Sequence, residues 1–201
     1  MIKAIVFDVD GVLVINKEVF SQIYAKKHKL SAEEMAPFFK GPFQECLIGK
    51  ADLKEILNTH VHRVFRHKGS IDEFLDIWFR SEHNVDEKVI AFVRELRKRG
   101  LTVAIATNQE KYRTKYIQDV MGFGKHFHHI FSSAQIGHMK PSRDFFAHVQ
   151  KSLNVAPDEI LFFDDSVENV KGARSFGLNA HLYSNLEECK ILVERELRAS
   201  T

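Results

Sequence analysis

Short apolar runs alternate with helix-like patterns along this chain of 201 residues. The runs cover residues 4–7, 101–106, 129–132, 160–163 and 179–183. Buried strands of a parallel sheet are near-continuous apolar segments, and helices connect them across the faces of the sheet. The pattern therefore predicts an α/β core in which parallel strands are covered by helices.

Helical patterns lie between these runs. Residues 86–99 place apolar side chains at helical spacing, and Gly100 follows as the stop. Gly177 has the same position after a second helical pattern, at residues 167–176. Both helices are predicted to belong to the core.

Residues 16–84 differ from the rest, because they contain no strand pattern and several helical ones. Ser31 with Glu34, and Ser70 with Glu73, each fit a capping box, in which the hydroxyl caps the first turn and the carboxylate binds the N-cap backbone. The segment is expected to break in its middle at Pro37, Gly41 and Pro42. It is predicted to be a small helical bundle inserted after the first strand.

Composition and charge narrow the class of protein. Hydrophobic residues make up 44% of the chain and charged residues 28%, which is typical of a globular domain. The net charge of +2 indicates neither nucleic acid nor an acidic partner. Cys46 and Cys189 match no zinc spacing and no disulfide framework, as expected of a cytoplasmic protein. Without a run of about 18 apolar residues or a signal-like region before Asp8, we expect neither a membrane span nor a secretory leader.

Polar side chains follow four of the predicted strands. They are Asp8, Asp10, Thr107, Asn108, Lys140, Asp164 and Asp165. The carboxyl ends of parallel strands meet at one edge of the sheet, where open α/β sheets bind ligands. Each of these residues alone fits a solvated loop or a helix N-cap, but their occurrence at four successive strand ends favours one shared crevice.

This set of side chains suits phosphoryl transfer through a covalent aspartate. A carboxylate can attack phosphorus and divide one difficult hydrolysis into two steps. Clustered acids and a phosphate repel one another, and an oxygen-lined site suits Mg²⁺, which offsets that repulsion. A lysine supplies fixed positive charge, and a hydroxyl and backbone N–H groups donate to phosphate oxygens. A second acid can protonate the leaving alcohol.

Four ordered motifs resemble those of the haloacid dehalogenase (HAD) superfamily. They are FDVDGVL at residues 7–13, ATN at 106–108, KP at 140–141 and FDDS at 163–166, which continues to Asn169. A helical insertion between the first and second motifs is similar to the helical-cap phosphatases of that superfamily. Residues 136–141 and 162–166 most resemble members that act on sugar phosphates.

The resemblance implies roles for the acids. Asp8 would be the nucleophile and Asp10 the general acid/base. The metal ligands would be the Asp8 carboxylate, the Asp10 backbone carbonyl and Asp165. Asp164 stands where many relatives have glycine, and it would lie in the outer coordination shell or act as a further ligand.

The resemblance also implies how the phosphate is held. Thr107, Asn108 and Lys140 would bind the phosphate oxygens. Asn169 stands where many relatives have another acid, and its implied role is a hydrogen bond to metal-bound water.

The sequence thus predicts a Mg²⁺-dependent phosphatase of a small phosphate monoester, with a small phosphorylated metabolite as its partner. The fold would be a doubly wound, Rossmann-like α/β core at residues 1–15 and 85–201, with an all-helical cap at residues 16–84. The cap would close over the site and bind the leaving group. Candidate cap residues facing the site are Phe43, Gln44, Cys46 and Lys50.

Three other functions share part of this pattern. A dehalogenase of the same superfamily would use Asp8 on carbon without a metal, and Asp10 with the Asp164–Asp165 pair argues against it. A phosphomutase would share every core residue and differ in how the cap controls water. A catalytically silent binding protein would be expected to lack a catalytic group, and none is missing.

Overall fold

A five-stranded parallel sheet forms the centre of the computed structural model, which describes residues 1–198. Its strands are β1 (Ala4–Phe7), β2 (Thr102–Thr107), β3 (His129–Ser132), β4 (Ile160–Asp164) and β5 (Asn179–Leu182). They lie in the order β3-β2-β1-β4-β5, and all neighbouring pairs are parallel. The predicted α/β class is confirmed. Residues 199–201, at the end of the predicted core, lie outside the described residues.

The central strand, β1, is fully buried on both faces. Two of its side chains enter the hydrophobic cluster on one face of the sheet, and two enter the cluster on the other. Alternate residues of a strand point to opposite faces, so four consecutive apolar residues suit a strand that is covered on both sides. Phe7 pairs with Ile105 of β2 and with Phe163 of β4, which brings three strand ends together beside Asp8.

The chain between residues 16 and 84, here called the helical segment, forms five helices. They are α1 (Phe20–His28), α2 (Ala32–Lys40), α3 (Pro42–Leu47), α4 (Leu53–His60) and α5 (Ile71–Ser81). Both predicted capping boxes are present, since the Ser31 hydroxyl accepts from Glu34 N and the Ser70 hydroxyl from Glu73 N. The buried side chains of the segment form a cluster of their own, rich in aromatic rings and distinct from the two clusters of the sheet.

The predicted break at Pro37 is wrong, because α2 continues through this residue and ends before Gly41. Proline removes the N–H that would bind the carbonyl of residue 33, four residues earlier. Glu33 lies exposed in the first turn of α2, where water can bind that carbonyl. The helix therefore loses one hydrogen bond at Pro37 without ending.

The remaining helices cover the sheet. They are α6 (Glu87–Lys98), α7 (Lys111–Asp119), α8 (Ser133–Ile136), α9 (Arg143–Leu153), α10 (Val167–Phe176) and α11 (Leu186–Arg198), with short 3-10 helices at Phe123–Lys125 and Pro157–Glu159. Helices α6, α7 and α11 contribute to the cluster on one face, and α9 and α10 to that on the other. None of the helices within residues 1–198 is long and apolar enough to cross a membrane.

Side chains of α7 bind the helical segment to the core at two places. The Tyr112 hydroxyl donates to the Asp52 carboxylate at 2.9 Å. The buried guanidinium of Arg113 donates to the main-chain oxygens of Phe79 and Glu82 at 2.9 and 3.0 Å. The start of α4 and the end of α5 are therefore held against the first turn of α7, next to the carboxyl end of β2.

The two connections between the helical segment and the core lie side by side. Val14 and Val85 form an antiparallel bridge, and Ile15 N donates to the main-chain oxygen of Asn84 at 2.9 Å. The chain therefore leaves the core and returns to it at one place.

Candidate active site

A crevice of about 380 Å³ opens at the carboxyl edge of the sheet. Six of the seven predicted site residues line it, namely Asp8, Asp10, Thr107, Asn108, Lys140 and Asp165. The seventh, Asp164, is fully buried behind Lys140. The rest of the lining consists of Gly11, Asn16, Val19, Glu82 and Asn169. The sheet thus brings together side chains that lie far apart in the sequence.

Lys140 is buried between two carboxylates. Its ammonium nitrogen Nζ lies 2.9 Å from Asp8 Oδ1 and 2.6 Å from Asp164 Oδ2. Burial opposes a charged lysine, but the two carboxylates raise the pKa of Lys140 above its ordinary value. Burial also raises the pKa of Asp8 to about 7, against the attraction of Lys140. A cationic side chain is therefore fixed beside Asp8 within the crevice.

Both oxygens of Asp164 accept hydrogen bonds from other groups of the chain. Oδ2 accepts from Lys140, and Oδ1 accepts from Ser166 N at 2.9 Å. Asn169 Nδ2 lies 3.0 and 3.1 Å from the two oxygens. These contacts occupy much of the accepting capacity of the carboxylate. Asp164 therefore positions the Lys140 ammonium group and the start of α10.

Asp10 has a different partner, Gln109, which is largely buried. Gln109 Nε2 donates to Asp10 Oδ2. Burial raises the pKa of Asp10, and the positive charge of Arg113 opposes this shift. Gln109 was not predicted from the sequence, although it directly follows Thr107 and Asn108 and so carries the same signal of a polar side chain at a strand end.

Asn108 binds the backbone of the lysine loop. Its Nδ2 donates to the main-chain oxygen of Lys140 at 2.9 Å, and Lys140 N donates to its Oδ1 at 2.8 Å. An amide nitrogen carries two hydrogens, so one remains for a ligand. Thr107 is buried beside it and lines the same crevice. The predicted phosphate-binding residues are thus adjacent, and Asn108 also fixes the position of Lys140.

The acids of the crevice fit a divalent metal ion. Asp8, Asp164 and Asp165 each offer an oxygen, and these oxygens lie within 4.8 Å of one another. Burial raises the pKa of Asp165, and the charge of Asp164 adds to the shift. Three acids against one lysine leave an excess of negative charge, and carboxylate oxygens are ligands that Mg²⁺ prefers. The donor set therefore fits Mg²⁺.

Gly11 allows Asp165 to approach the loop after β1. It has φ +79°, and a Cβ at this position would lie 2.0 Å from Asp165 Oδ2. Gly11→Ala should therefore displace the Asp165 carboxylate and strain the backbone by about 1–2 kcal/mol. We expect calorimetry to show weaker Mg²⁺ binding by this variant.

Gly100→Ala is the matched control for that substitution. Gly100 has φ +84°, but no atom lies within 4 Å of the added Cβ, so this variant has the backbone strain alone. It should lose stability and keep its Mg²⁺ affinity. Equal Mg²⁺ affinities of the Gly11→Ala variant and the wild type would contradict the role given to Asp165.

A second cavity of about 290 Å³ adjoins the crevice on the side of the helical segment. Asp10, Val19, Glu82 and Asn108 line both spaces. Many of the other lining residues are aromatic or aliphatic, namely Phe20, Phe39, Phe43, Leu47, Trp78 and Phe79. We call this space the aromatic cavity.

The four candidate residues of the helical segment face different places. Phe43 lines the aromatic cavity together with Leu47, one turn further along α3. Gln44 instead donates to a main-chain oxygen of α2 at 2.7 Å, and Cys46 and Lys50 line a separate cavity. The prediction is therefore wrong for these three residues. Only one side of the short helix α3 faces the site, and Lys50 follows the end of α3 beside the separate cavity.

Glu82 lies where the crevice and the aromatic cavity meet. Its Oε1 accepts from Phe20 N at 2.7 Å, and its Oε2 accepts from Trp78 Nε1 at 3.1 Å. Burial raises the pKa of Glu82 above its ordinary value. No motif marks this residue in the sequence, since it reaches the site only through the packing of the helical segment.

Comparison with known proteins identifies related sequences. A family model described as haloacid dehalogenase-like hydrolase matches residues 2–177. Sesquiterpene phosphatase astK of Aspergillus oryzae is 31% identical over 105 residues, or 52% of this chain and 54% of that protein. D-ribitol-5-phosphate phosphatase of Bacteroides thetaiotaomicron is 25% identical over 186 residues, or 88% of this chain and 89% of that protein. The chain thus spans about half the length of the first relative and most of the second.

A solved structure shares the fold over nearly the whole chain. It is a HAD family enzyme of Bacteroides thetaiotaomicron in complex with magnesium and inorganic phosphate. The TM-score is 0.77 at 18% identity, over 92% of this chain and 95% of that chain. At this level of identity the likeness shows the fold alone.

Proposed function

The chain belongs to the haloacid dehalogenase-like hydrolase family, and we propose that it is a Mg²⁺-dependent phosphatase of small phosphate monoesters. The observation that carries this proposal is the buried cluster of Asp8, Lys140 and Asp164, with Asp10 and Asp165 on the same crevice. The set supplies a nucleophile, a cation, a proton donor and a metal ligand within one space.

Asp8 is the nucleophile in this proposal. Its Oδ1 accepts hydrogen bonds from Val9 N at 2.7 Å and from Lys140 Nζ at 2.9 Å. These contacts fix the carboxylate and leave the second oxygen, Oδ2, to react. Oδ2 attacks phosphorus, the bond from phosphorus to the ester oxygen breaks, and an aspartyl phosphate forms on Asp8.

Asp10 transfers the protons. In the first step its carboxyl group donates a proton to the departing alcohol oxygen. In the second step its carboxylate accepts a proton from the water that attacks phosphorus, and the bond from phosphorus to Asp8 breaks. Gln109 holds Asp10 Oδ2 in position, which leaves Oδ1 for proton transfer.

The phosphate oxygens are bound by the remaining polar groups of the crevice. Lys140 offers positive charge next to Asp8, Thr107 offers its hydroxyl, and Asn108 offers the second hydrogen of its amide. Asp164 supports this arrangement from behind, because it orients the Lys140 ammonium group.

Mg²⁺ would be held by the carboxylates of Asp8 and Asp165 and by the backbone carbonyl of Asp10. When bound, it supplies positive charge that offsets the repulsion between the acids and the phosphate. Asp164 lies in the outer coordination shell in this proposal, because its oxygens already bind Lys140 and Asn169. The magnesium and phosphate in the related structure from Bacteroides thetaiotaomicron support the assignment.

The helical segment, residues 16–84, serves as a cap in this proposal, and residues 1–15 and 85–201 form the catalytic core. The segment has a hydrophobic cluster of its own, and its helices supply most of the apolar lining of the aromatic cavity. A cap in this place excludes water during the first step and binds the alcohol part of the substrate.

The two phosphatases to which this chain is similar are named for different kinds of substrate. The resemblance of residues 136–141 and 162–166 favours a sugar phosphate, and the D-ribitol-5-phosphate phosphatase agrees with it. The sesquiterpene phosphatase is named for an apolar compound. Both names support a phosphatase, and the alcohol part of its substrate has to be inferred from the residues of this chain.

Removing divalent metal should abolish hydrolysis. With p-nitrophenyl phosphate as the substrate, excess EDTA should lower phosphate release at least about 100-fold, because the metal contributes several kcal/mol of charge stabilisation. Added Mg²⁺ in excess should restore the rate. The measurement is release of inorganic phosphate by the purified chain.

Other results, with this substrate or with a panel of phosphorylated metabolites, would point to the other functions. Full activity in EDTA would contradict the proposed mechanism and favour metal-free attack on carbon, as in a dehalogenase. An isomerised phosphate ester as the product would indicate a phosphomutase. No phosphate release from any ester of a metabolite panel with Mg²⁺ would indicate a binding protein.

A further inference from the structure

We propose that the aromatic cavity binds the alcohol part of the substrate and that this part is apolar, so that the substrate is the phosphate monoester of a compact aromatic or aliphatic alcohol. The inference rests on the proposed phosphatase function and narrows its substrate class. Asp10, the proposed proton donor to the ester oxygen, lines both the crevice and the cavity. The group attached to that oxygen therefore lies at the entrance of the cavity.

Three aromatic rings from three helices form one wall of the cavity. Trp78 of α5 lies with its ring centroid 5.6 Å from Phe39 of α2 and 5.4 Å from Phe43 of α3. Phe39 and Phe43 are themselves 5.7 Å apart. Rings that support one another in this way give a preformed apolar surface, which favours an apolar ligand.

The Trp78 indole is held in place from two further sides. Phe20 stacks on it at 4.8 Å between ring centroids, and Glu82 accepts the hydrogen of Nε1. The polar atom of the indole is thus already paired, and the ring presents carbon to the cavity. Glu82 is a positioning residue in this arrangement.

Two of the acids and one of the amides that line the cavity already have partners within the protein. Glu82 accepts from Phe20 N and Trp78, and the Glu110 carboxylate accepts from the N–H groups of Tyr112 and Arg113. Gln109 Nε2 is bound to Asp10. A hydroxyl group buried here would lose its bonds to water and find few replacements.

Asp10 Oδ1 and the second amide hydrogen of Asn108 serve the proposed proton transfer and phosphate binding. Beyond these, a few polar atoms of the lining remain for a ligand. Arg113 Nε is buried and has no hydrogen-bond partner within the described residues, and Ser21 contributes a hydroxyl. The guanidinium carbon Cζ of Arg113 lies 5.5 Å from the centroid of the Phe79 ring and 5.4 Å from that of Tyr116, so the guanidinium group is flanked by aromatic rings. A sugar or polyol needs several such partners, whereas an apolar alcohol needs none beyond its ester oxygen.

The size of the cavity limits the alcohol. A volume of 290 Å³ holds about ten water-sized groups. A single aromatic ring fits within it, and an aliphatic group of about six to ten carbon atoms fills it. A long lipid chain would extend beyond it.

A series of alkyl phosphates tests the proposal through turnover. With Mg²⁺ present, kcat/KM should rise about fourfold for each added methylene group, because each is removed from water on binding. Hexyl phosphate should therefore exceed propyl phosphate by about 60-fold, and it should exceed glucitol 6-phosphate, which has the same carbon count, by at least that factor.

Two matched variants test whether the aromatic cavity causes the preference for longer alkyl groups. Phe43→Ala should lower kcat/KM for hexyl phosphate about tenfold and leave that for methyl phosphate nearly unchanged. Phe176→Ala removes a half-buried ring that packs on Phe146 of α9, outside the cavity lining, and should change neither value.

Binding can be followed separately from turnover, since Trp78 is the single tryptophan of the chain. Hexylphosphonate, which cannot be hydrolysed, should shift the tryptophan emission and bind at least about tenfold more tightly than methylphosphonate. The Phe43→Ala variant should bind hexylphosphonate about tenfold more weakly than the wild type does and methylphosphonate with nearly unchanged affinity.

Two results would overturn the inference. One result is a kcat/KM for glucitol 6-phosphate that equals that for hexyl phosphate, or a kcat/KM that does not change along the alkyl series. The aromatic cavity then does not bind the alcohol part, and the phosphatase function stands. If no ester in the series releases phosphate, the proposed function fails and this inference fails with it.

Discussion

Replacing Asp8 by Asn should lower kcat by at least about 10⁴-fold and leave the fold intact. The amide cannot attack phosphorus, so no aspartyl phosphate forms. The fold should survive, because Lys140 keeps its second carboxylate partner, Asp164, at 2.6 Å. The measurements are steady-state phosphate release and thermal unfolding of the purified variant.

Asp10→Asn is the comparison that separates the two acids of the loop after β1. This variant keeps the backbone carbonyl and the nucleophile, so Mg²⁺ and phosphate should bind nearly as in the wild type. Its turnover should fall by about 10²–10⁴-fold, the contribution of a positioned acid/base. Because the second step then lacks its base, aspartyl phosphate should accumulate on Asp8.

The accumulation has a direct readout. Quenching Asp10→Asn during turnover of an activated ester should reveal a phosphate-sized increase in the mass of the peptide that carries Asp8. The Asp8→Asn variant, treated in the same way, is the control and should show no such increase. Near-normal turnover of an alkyl phosphate by Asp10→Asn would show that another group transfers the proton.

Lys140→Met should destabilise the protein by about 3–5 kcal/mol, because it leaves two buried carboxylates without their cation. Lys140 is 2% exposed and lies within 3 Å of both Asp8 and Asp164. Methionine fills a similar volume, so the decrease in the free energy of unfolding reflects the lost charge rather than lost packing. Urea unfolding at neutral pH without Mg²⁺ measures the free energy of unfolding.

Lys171→Met is the matched control for this substitution. Lys171 is exposed on α10, so the same change should alter the free energy of unfolding by less than about 0.5 kcal/mol. A Lys140→Met variant as stable as Lys171→Met would mean that Asp8 and Asp164 do not depend on the lysine for their burial.

Strands β1, β2 and β4 were predictable from the sequence because each is mainly a run of apolar residues. The bounds of β1 and β3 agree with the prediction. Strands β2 and β4 each continue one residue further, into Thr107 and Asp164. Both polar residues still pair with a neighbouring strand, Thr107 with Ser132 and Asp164 with Leu182. Hydropathy shows which part of a strand is apolar. The end of the strand is set by the backbone hydrogen bonds to its neighbour, which are independent of side-chain polarity.

The acids and Lys140 could be placed in one crevice because strand ends share an edge of the sheet. The aromatic cavity could not be predicted in the same way. Glu82 and Trp78 reach it through the packing of five helices, and no periodicity fixes how those helices turn relative to the sheet. The side of α3 that faces the site could not be predicted either. A helix of six residues is less than two turns long, so its sequence does not show whether Phe43 or Gln44 faces inward.

The paired connections at Val14–Val85 and Ile15–Asn84 have a consequence for how such a protein can diversify. Residues 16–84 are therefore equivalent to a single loop of the core, and these contacts hold the two ends of that loop together. Doubling the length of a flexible loop costs only about 0.6 kcal/mol in closure entropy. Helices can therefore be gained, lost or exchanged there without moving Asp8 or Asp10. New substrate-binding surfaces can thus evolve in this segment while the geometry of the site around Asp8 and Asp10 is kept.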